Sequence, residues 1–325
     1  MYSTIRGNRF SLFFLIFYLS GSFLVMGILT IVYPPIKDNI LLSIAATQLM
    51  LVFLPTILYL LFVKLPITKT LRLYPTKPIN LLFSFLIGFL SIPTVMLINL
   101  LSQFIVSPVI NETLKSLPSE PFGYSLLVIA VFPALFEEMA TRGIFLSHYR
   151  HTRILTASLM SGLFFGIIHM NLNQFLYAFF LGTLFSIILH ITGSIICPMI
   201  MHFVVNGVNL GLSYIAAHPI IQELSDASQV NLDAIEQTEA LLMALPGVII
   251  MVLVTLPLLL LLIYALIHIN NKMALLKENA ISSDFFPHEK IFQTVEKQPI
   301  FTLPFAATLV IFISFSIYLE VSRYL

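Results

Sequence analysis

Long apolar runs, separated by short stretches of polar residues and proline, recur nine times along the 325-residue chain. They fall near 10–33, 40–63, 81–106, 123–145, 154–171, 173–191, 194–216, 241–269 and 301–321. Most reach the roughly 20 residues a helix needs to cross a bilayer. The pattern predicts an all-α, polytopic transmembrane helix bundle of about eight or nine spans, with any active site inside the bundle. The first run is longer than the apolar stretch of a secretory signal, and no small-residue cleavage site follows it. It is therefore expected to be a retained helix of the fold.

Composition strengthens this reading. Hydrophobic residues make up 58% of the chain and charged residues 10%, well under the roughly 25% charged of soluble proteins. The lipid bilayer is thus an expected partner. A formal net charge of +1 and the lack of any recognisable RNA or DNA motif set nucleic acid aside. The single cysteine, Cys197, cannot form an internal disulfide and reads as a small buried hydrophobe.

Lys and Arg placement tests the span count independently, because cytoplasmic loops are enriched in both. With the N-terminus inside and nine alternating spans, twelve basic residues fall inside: Arg6, Arg9, Lys64, Lys69, Arg72, Lys77, Arg150, Arg153, Lys272, Lys277, Lys290 and Lys297. Only Lys37, Lys115 and Arg323 fall outside, and Arg142 lies within a span. Three parts follow from this layout. Residues 1–106 hold N-terminal spans and a basic cytoplasmic loop from Lys64 to Asn80, suited to anionic headgroups. Residues 107–216 hold the polar residues that suggest chemistry. Residues 217–325 hold an acidic outer loop, a polar linker and the C-terminal spans. The loop near 217–240 reads as solvated, and Asn111-Glu112-Thr113 matches a glycosylation acceptor pattern.

The candidate chemistry lies in ionisable groups stranded within apolar runs, where each costs at least a few kcal/mol unless paired or facing a wet cavity. In the fourth run, Glu138 and Arg142 are four residues apart, so they share a helix face and form a pair. Glu137 projects about 100° away around the helix and lacks that partner. An unpaired carboxylate in such a setting suits a general base acting on water. Phe165 and His169 lie one turn apart in the fifth run, and His202 and Asn206 one turn apart in the seventh. Imidazoles, a carboxylate and an amide on three helices can orient water and stabilise an oxyanion, with or without a metal. His148, His151 and His190 read as interfacial or cytoplasmic.

The order Glu-Glu-x-x-x-Arg, Phe-x-x-x-His, His-x-x-x-Asn resembles the CAAX-prenyl-protease and bacteriocin-processing family of intramembrane proteases (CPBP, or Abi). The match covers roughly residues 120–212, and Arg142-Gly143, Gly182 and Thr192 to Pro198 also fit. Met139, Ala140 and Thr141 depart from it, since many members carry bulkier residues there. The resemblance implies that Glu137 activates the hydrolytic water with help from His169, that Glu138 and Arg142 hold the helix, and that His202 and Asn206 complete the site. His169 and His202 would be the ligands of a Zn2+ cofactor if one is used, together with a carboxylate, because catalytic zinc takes three protein ligands. The His-Glu-x-x-His zinc motif is absent.

The expected activity is endoproteolysis of a membrane-associated peptide or lipidated protein in a bacterial cell membrane. Two other readings stay open: a catalytically silent peptide-binding or immunity protein, and a transporter, whose internal repeats are not visible here. Water, not an acyl-enzyme, is expected to act, because Ser161 and Cys197 are poorly spaced to partner either histidine.

Overall fold

The computed structural model describes residues 2–106, 117–221, 223, 237–272 and 298–322. The Asn111 acceptor pattern, Asp226, Asp233 and Glu236 of the acidic run, and residues 273–297 of the linker lie outside these. Among the described residues every long element is a helix: α1 (Thr4–Val32), α2 (Ile40–Phe62), α3 (Pro78–Ser102), α4 (Phe122–His148), α5 (Ile154–Ile168), α6 (Leu172–Thr192), α7 (Ile196–Ala216), α8 (Gln237–Ile269) and α9 (Leu303–Val321). Eight of them are long and apolar enough to cross a membrane. The chain is an integral, multi-pass membrane protein.

The exception among the nine expected runs is α5. With 15 residues it spans about 22 Å, short of a hydrocarbon core of about 30 Å. Tyr149, just before it, is buried and donates a hydrogen bond to Asn8 near the start of α1. α5 ends early because Met170 takes a left-handed φ of 55° and Asn171 then caps α6 by accepting from the Gln174 amide. The result is a tight helical hairpin with His169 at its tip. Close approach of α5 to α6 needs glycine: a Cβ on Gly182 would lie 2.7 Å from Gly162 Cα. Small residues at such crossings are how membrane helices gain contact where lipid offers no hydrophobic drive.

α3 packs against α6, α7 and α8, while α9 packs on α1. Phe145 of α4 stacks on Phe164 of α5 at 4.7 Å, and Phe10 of α1 meets the same ring at 5.9 Å. One buried cluster runs from Phe10 to Phe305, drawing on all three parts of the sequence. α9 also buttresses the hairpin tip, where Phe312 packs with Leu15 and Met170.

The segments rich in Lys and Arg gather at one end of the bundle. Tyr2 hydroxyl bonds Thr70, and Arg150 sits 3.5 Å above the Tyr2 ring. Lys77 donates to the Ile269 carbonyl, Ser194 to the Tyr74 carbonyl, and Thr4 to the Pro299 carbonyl. The opposite end is built from Leu41, Leu117, Val128 and Leu210, with Tyr214 donating to the Leu117 and Glu120 carbonyls.

Candidate active site

Glu137 and Glu138 sit in a short α-helical stretch, Phe132–Glu138, between two π-helical segments of α4, Leu127–Val131 and Met139–Phe145. Widened turns of this kind often mark functional sites in helices. Pro133 contributes to the irregularity, since it has no N–H for the carbonyl four residues earlier. That carbonyl belongs to Ile129, and Asn206 of α7 donates to it at 3.1 Å.

The predicted Glu138–Arg142 pair forms at 2.8 Å with both side chains fully buried. Arg142 also donates to Thr141 Oγ1 at 2.7 Å, and Thr141 donates to the Glu137 carbonyl at 2.6 Å. Two of the three departures at Met139 to Thr141 have a structural reason: Thr141 ties the Arg142 head to the backbone, and Ala140 is fully buried. The guanidinium lies 4.3 Å from the Phe165 ring and 5.1 Å from Phe185, where aromatic faces attract a cation.

Glu138 has a second partner, the His202 Nδ1 at 2.8 Å. A carboxylate only accepts, so Nδ1 carries a proton, and in the neutral ring Nε2 presents its lone pair. That Nε2 lies 3.9 Å from Glu137 Oε2. His169 follows the same logic: its Nδ1 is 2.7 Å from the Phe165 carbonyl, which can only accept, so Nδ1 carries a proton and Nε2 is the lone pair of the neutral ring. Phe165 stands edge-on to both rings, 4.9 Å from His169 and 5.5 Å from His202.

Glu137, His169, His202 and Asn206 all line one cavity of about 340 Å³. Glu138 and Arg142 lie behind it. Glu137 is not bare, as its sequence neighbours suggest: Gln48 of α2 donates to its Oε1 at 2.9 Å, and Oε2 is buried with no hydrogen-bond partner among the described residues. Gln48 is a functional neighbour that the motifs do not contain. Its signal was an amide within a run otherwise made of aliphatic, aromatic and small residues, in a third π-helical segment, Gln48–Phe53. Asn206 differs from expectation in another way, since part of its amide is committed to the Ile129 carbonyl.

The zinc expectation does not fit these residues. Both histidines hold a second partner on Nδ1, as metal ligands do, yet among the described residues no three His, Cys, Asp or Glu side chains come together as a metal would need. Cys197 is buried, and Ser161 points at the Thr141 carbonyl at 3.4 Å. His190 donates to the Ser186 carbonyl, and His148 bonds Tyr59, both away from the cavity.

Residues 119–208 match the family model described as Rce1-like, type II CAAX prenyl endopeptidase Rce1-like. That interval contains every motif residue named above. No curated protein and no solved structure matches the chain.

Proposed function

From the premise that residues 119–208 belong to the CPBP (Abi) family in its Rce1-like form, we propose that the protein is an intramembrane endopeptidase that hydrolyses a peptide bond with a water activated by Glu137. The observation that carries this is the Glu137 Oε2 lying 3.9 Å from the His202 Nε2 in the wall of one cavity. With His202 neutral both atoms accept hydrogen bonds, and together they fit the two protons of one water.

Glu137 takes a proton from that water as its oxygen bonds the peptide carbonyl carbon. The carbonyl electrons move onto oxygen, where the N–H of Asn206 not used by Ile129 offers a donor. Collapse of the tetrahedral intermediate breaks the C–N bond, and the amine leaves with the proton, relayed through Glu137 or His169. Glu138 keeps His202 in the tautomer that presents Nε2, and Arg142 offsets the charge of Glu138. No step passes through a metal or an acyl-enzyme.

Glu137→Gln removes the base while keeping shape. Cleavage of a membrane-anchored peptide by the purified variant is expected to fall by about 10²–10⁴-fold, with unchanged elution and thermal unfolding. Wild-type cleavage is expected to survive exhaustive chelation and serine- or cysteine-directed inhibitors. Full activity in Glu137→Gln would end this reading, and zinc-specific recovery after chelation would replace its metal-free form.

A further inference from the structure

Of the side chains placed at the reaction, Glu137, His202 and Asn206 lie within the bodies of α4 and α7, where helical hydrogen bonds hold the backbone. His169 does not. It follows the last residue of α5, where the final carbonyls of a helix lack intrahelical partners. Its position therefore depends on how the connection from His169 to Asn171 is built.

Part of that construction is backbone. The His169 N–H turns back to the Gly166 carbonyl at 3.3 Å, and the Met170 N–H to the Ile167 carbonyl at 3.0 Å. Met170 then takes its left-handed φ, which disfavours any residue with a Cβ. Its buried side chain packs with Leu15 and Phe312, and that burial offsets the strain.

The His169 carbonyl is met by Asn171. Asn171 Oδ1 accepts from the Gln174 backbone N–H at 2.8 Å, and because that group only donates, the orientation of the amide is fixed. Nδ2 therefore faces the other two partners, donating to the His169 carbonyl at 3.1 Å and to Gln174 Oε1 at 2.8 Å. One side chain thus closes α5, opens α6 and holds Gln174, which lines the cavity while Asn171 does not. Both N–H groups of the amide are engaged, so Asn171 has no donor to offer a substrate. The frame to which it ties His169 is firm: in the first turn of α6, Asn173 donates to Ser102 Oγ of α3 at 2.9 Å, and both residues are buried.

We propose that Asn171 is the positioning residue for His169, its amide fixing the backbone from which the imidazole reaches the cavity beside Glu137 and His202. The proposal rests on the endopeptidase reading for what His169 does, and on the hairpin alone for how it is held. An acceptor at position 171 is enough to cap α6, and Asp and Ser supply one as well as Asn does. Only the amide also carries the two donors that reach His169 and Gln174. Stability and placement are therefore separable at this residue.

The test compares purified Asn171→Asp, Asn171→Ser and Asn171→Ala with wild type by thermal unfolding, by cleavage of a membrane-anchored peptide, and by nitrogen NMR of protein labelled at its histidines. His169→Gln and His202→Gln assign the resonances. In wild type each of the two rings should show one tautomer, protonated at Nδ1. The Asp and Ser variants should unfold at the wild-type temperature and lose about tenfold in kcat with KM held, the equivalent of one hydrogen bond. Their His169 signals should move towards a mixture of tautomers while those of His202 stay. Asn171→Ala, which also loses the cap, should in addition unfold at lower temperature. Unmoved His169 signals, wild-type kcat beside an inactive Glu137→Gln, or unfolding temperatures in the Asp and Ser variants as low as that of Asn171→Ala would overturn the proposal. If wild type cleaves no better than Glu137→Gln, the endopeptidase reading falls, and the NMR comparison still decides whether Asn171 holds His169.

Discussion

Glu138 accepts from Arg142 and from His202 with the same oxygen, Oε1, so one carboxylate fixes both a buried cation and an imidazole tautomer. Glu138→Gln removes the charge that offsets Arg142, and breaking a buried pair from one side costs about 3–5 kcal/mol. The variant is expected to unfold at clearly lower temperature in detergent, whereas Glu137→Gln should not; equal melting of the two would contradict the division of labour. Gln48 donates to Glu137 Oε1, and in the proposed mechanism it positions that carboxylate. Gln48→Leu should lower kcat about tenfold, the value of a hydrogen bond to a charged group, with KM and the unfolding temperature held. A change in KM alone would assign Gln48 to binding instead. The Glu138–Arg142 pair was legible in the sequence because i to i+4 geometry is local to one helix. Gln48 was not, because its contact joins residues 89 apart, although an amide in an apolar run was a visible anomaly.

At the scale of elements, α4 is irregular on both sides of its glutamates, and Asn206 answers one consequence of that irregularity. Replacing Asn206 with Leu should leave the Ile129 carbonyl unpaired and cost about 1–3 kcal/mol. In a Pro133→Ala background the new N–H can serve the same carbonyl, so the Asn206→Leu penalty should largely vanish. A thermal-unfolding double-mutant cycle measures this coupling; strictly additive losses would show that the two residues act separately. The run at 154–171 looked like a span in sequence because hydropathy does not register depth. Its start is fastened by the Tyr149–Asn8 contact between residues 141 apart, and its early end is set by one left-handed residue, Met170. The other runs were legible as helices because burial of backbone in lipid leaves them little alternative. The two carboxylates and two imidazoles were legible for the converse reason, that a bilayer makes such groups expensive anywhere else.

The whole molecule is polarised, with its basic segments packed together at one end. In the Cys197→Ala background, Glu239→Cys is expected to react with an impermeant reagent in intact cells and Lys77→Cys only after lysis. The reverse pattern would invert the assigned orientation. The short α5 has a consequence for biogenesis. Fifteen residues fall below the length at which a segment enters the bilayer readily by itself, so α5 depends on α6 to enter beside it as a hairpin. Because the hairpin starts and finishes at the basic end, its failure to insert would leave every other crossing with its proper direction. Such a chain would reach the membrane, pass every test of sidedness, and still lack His169 at the site.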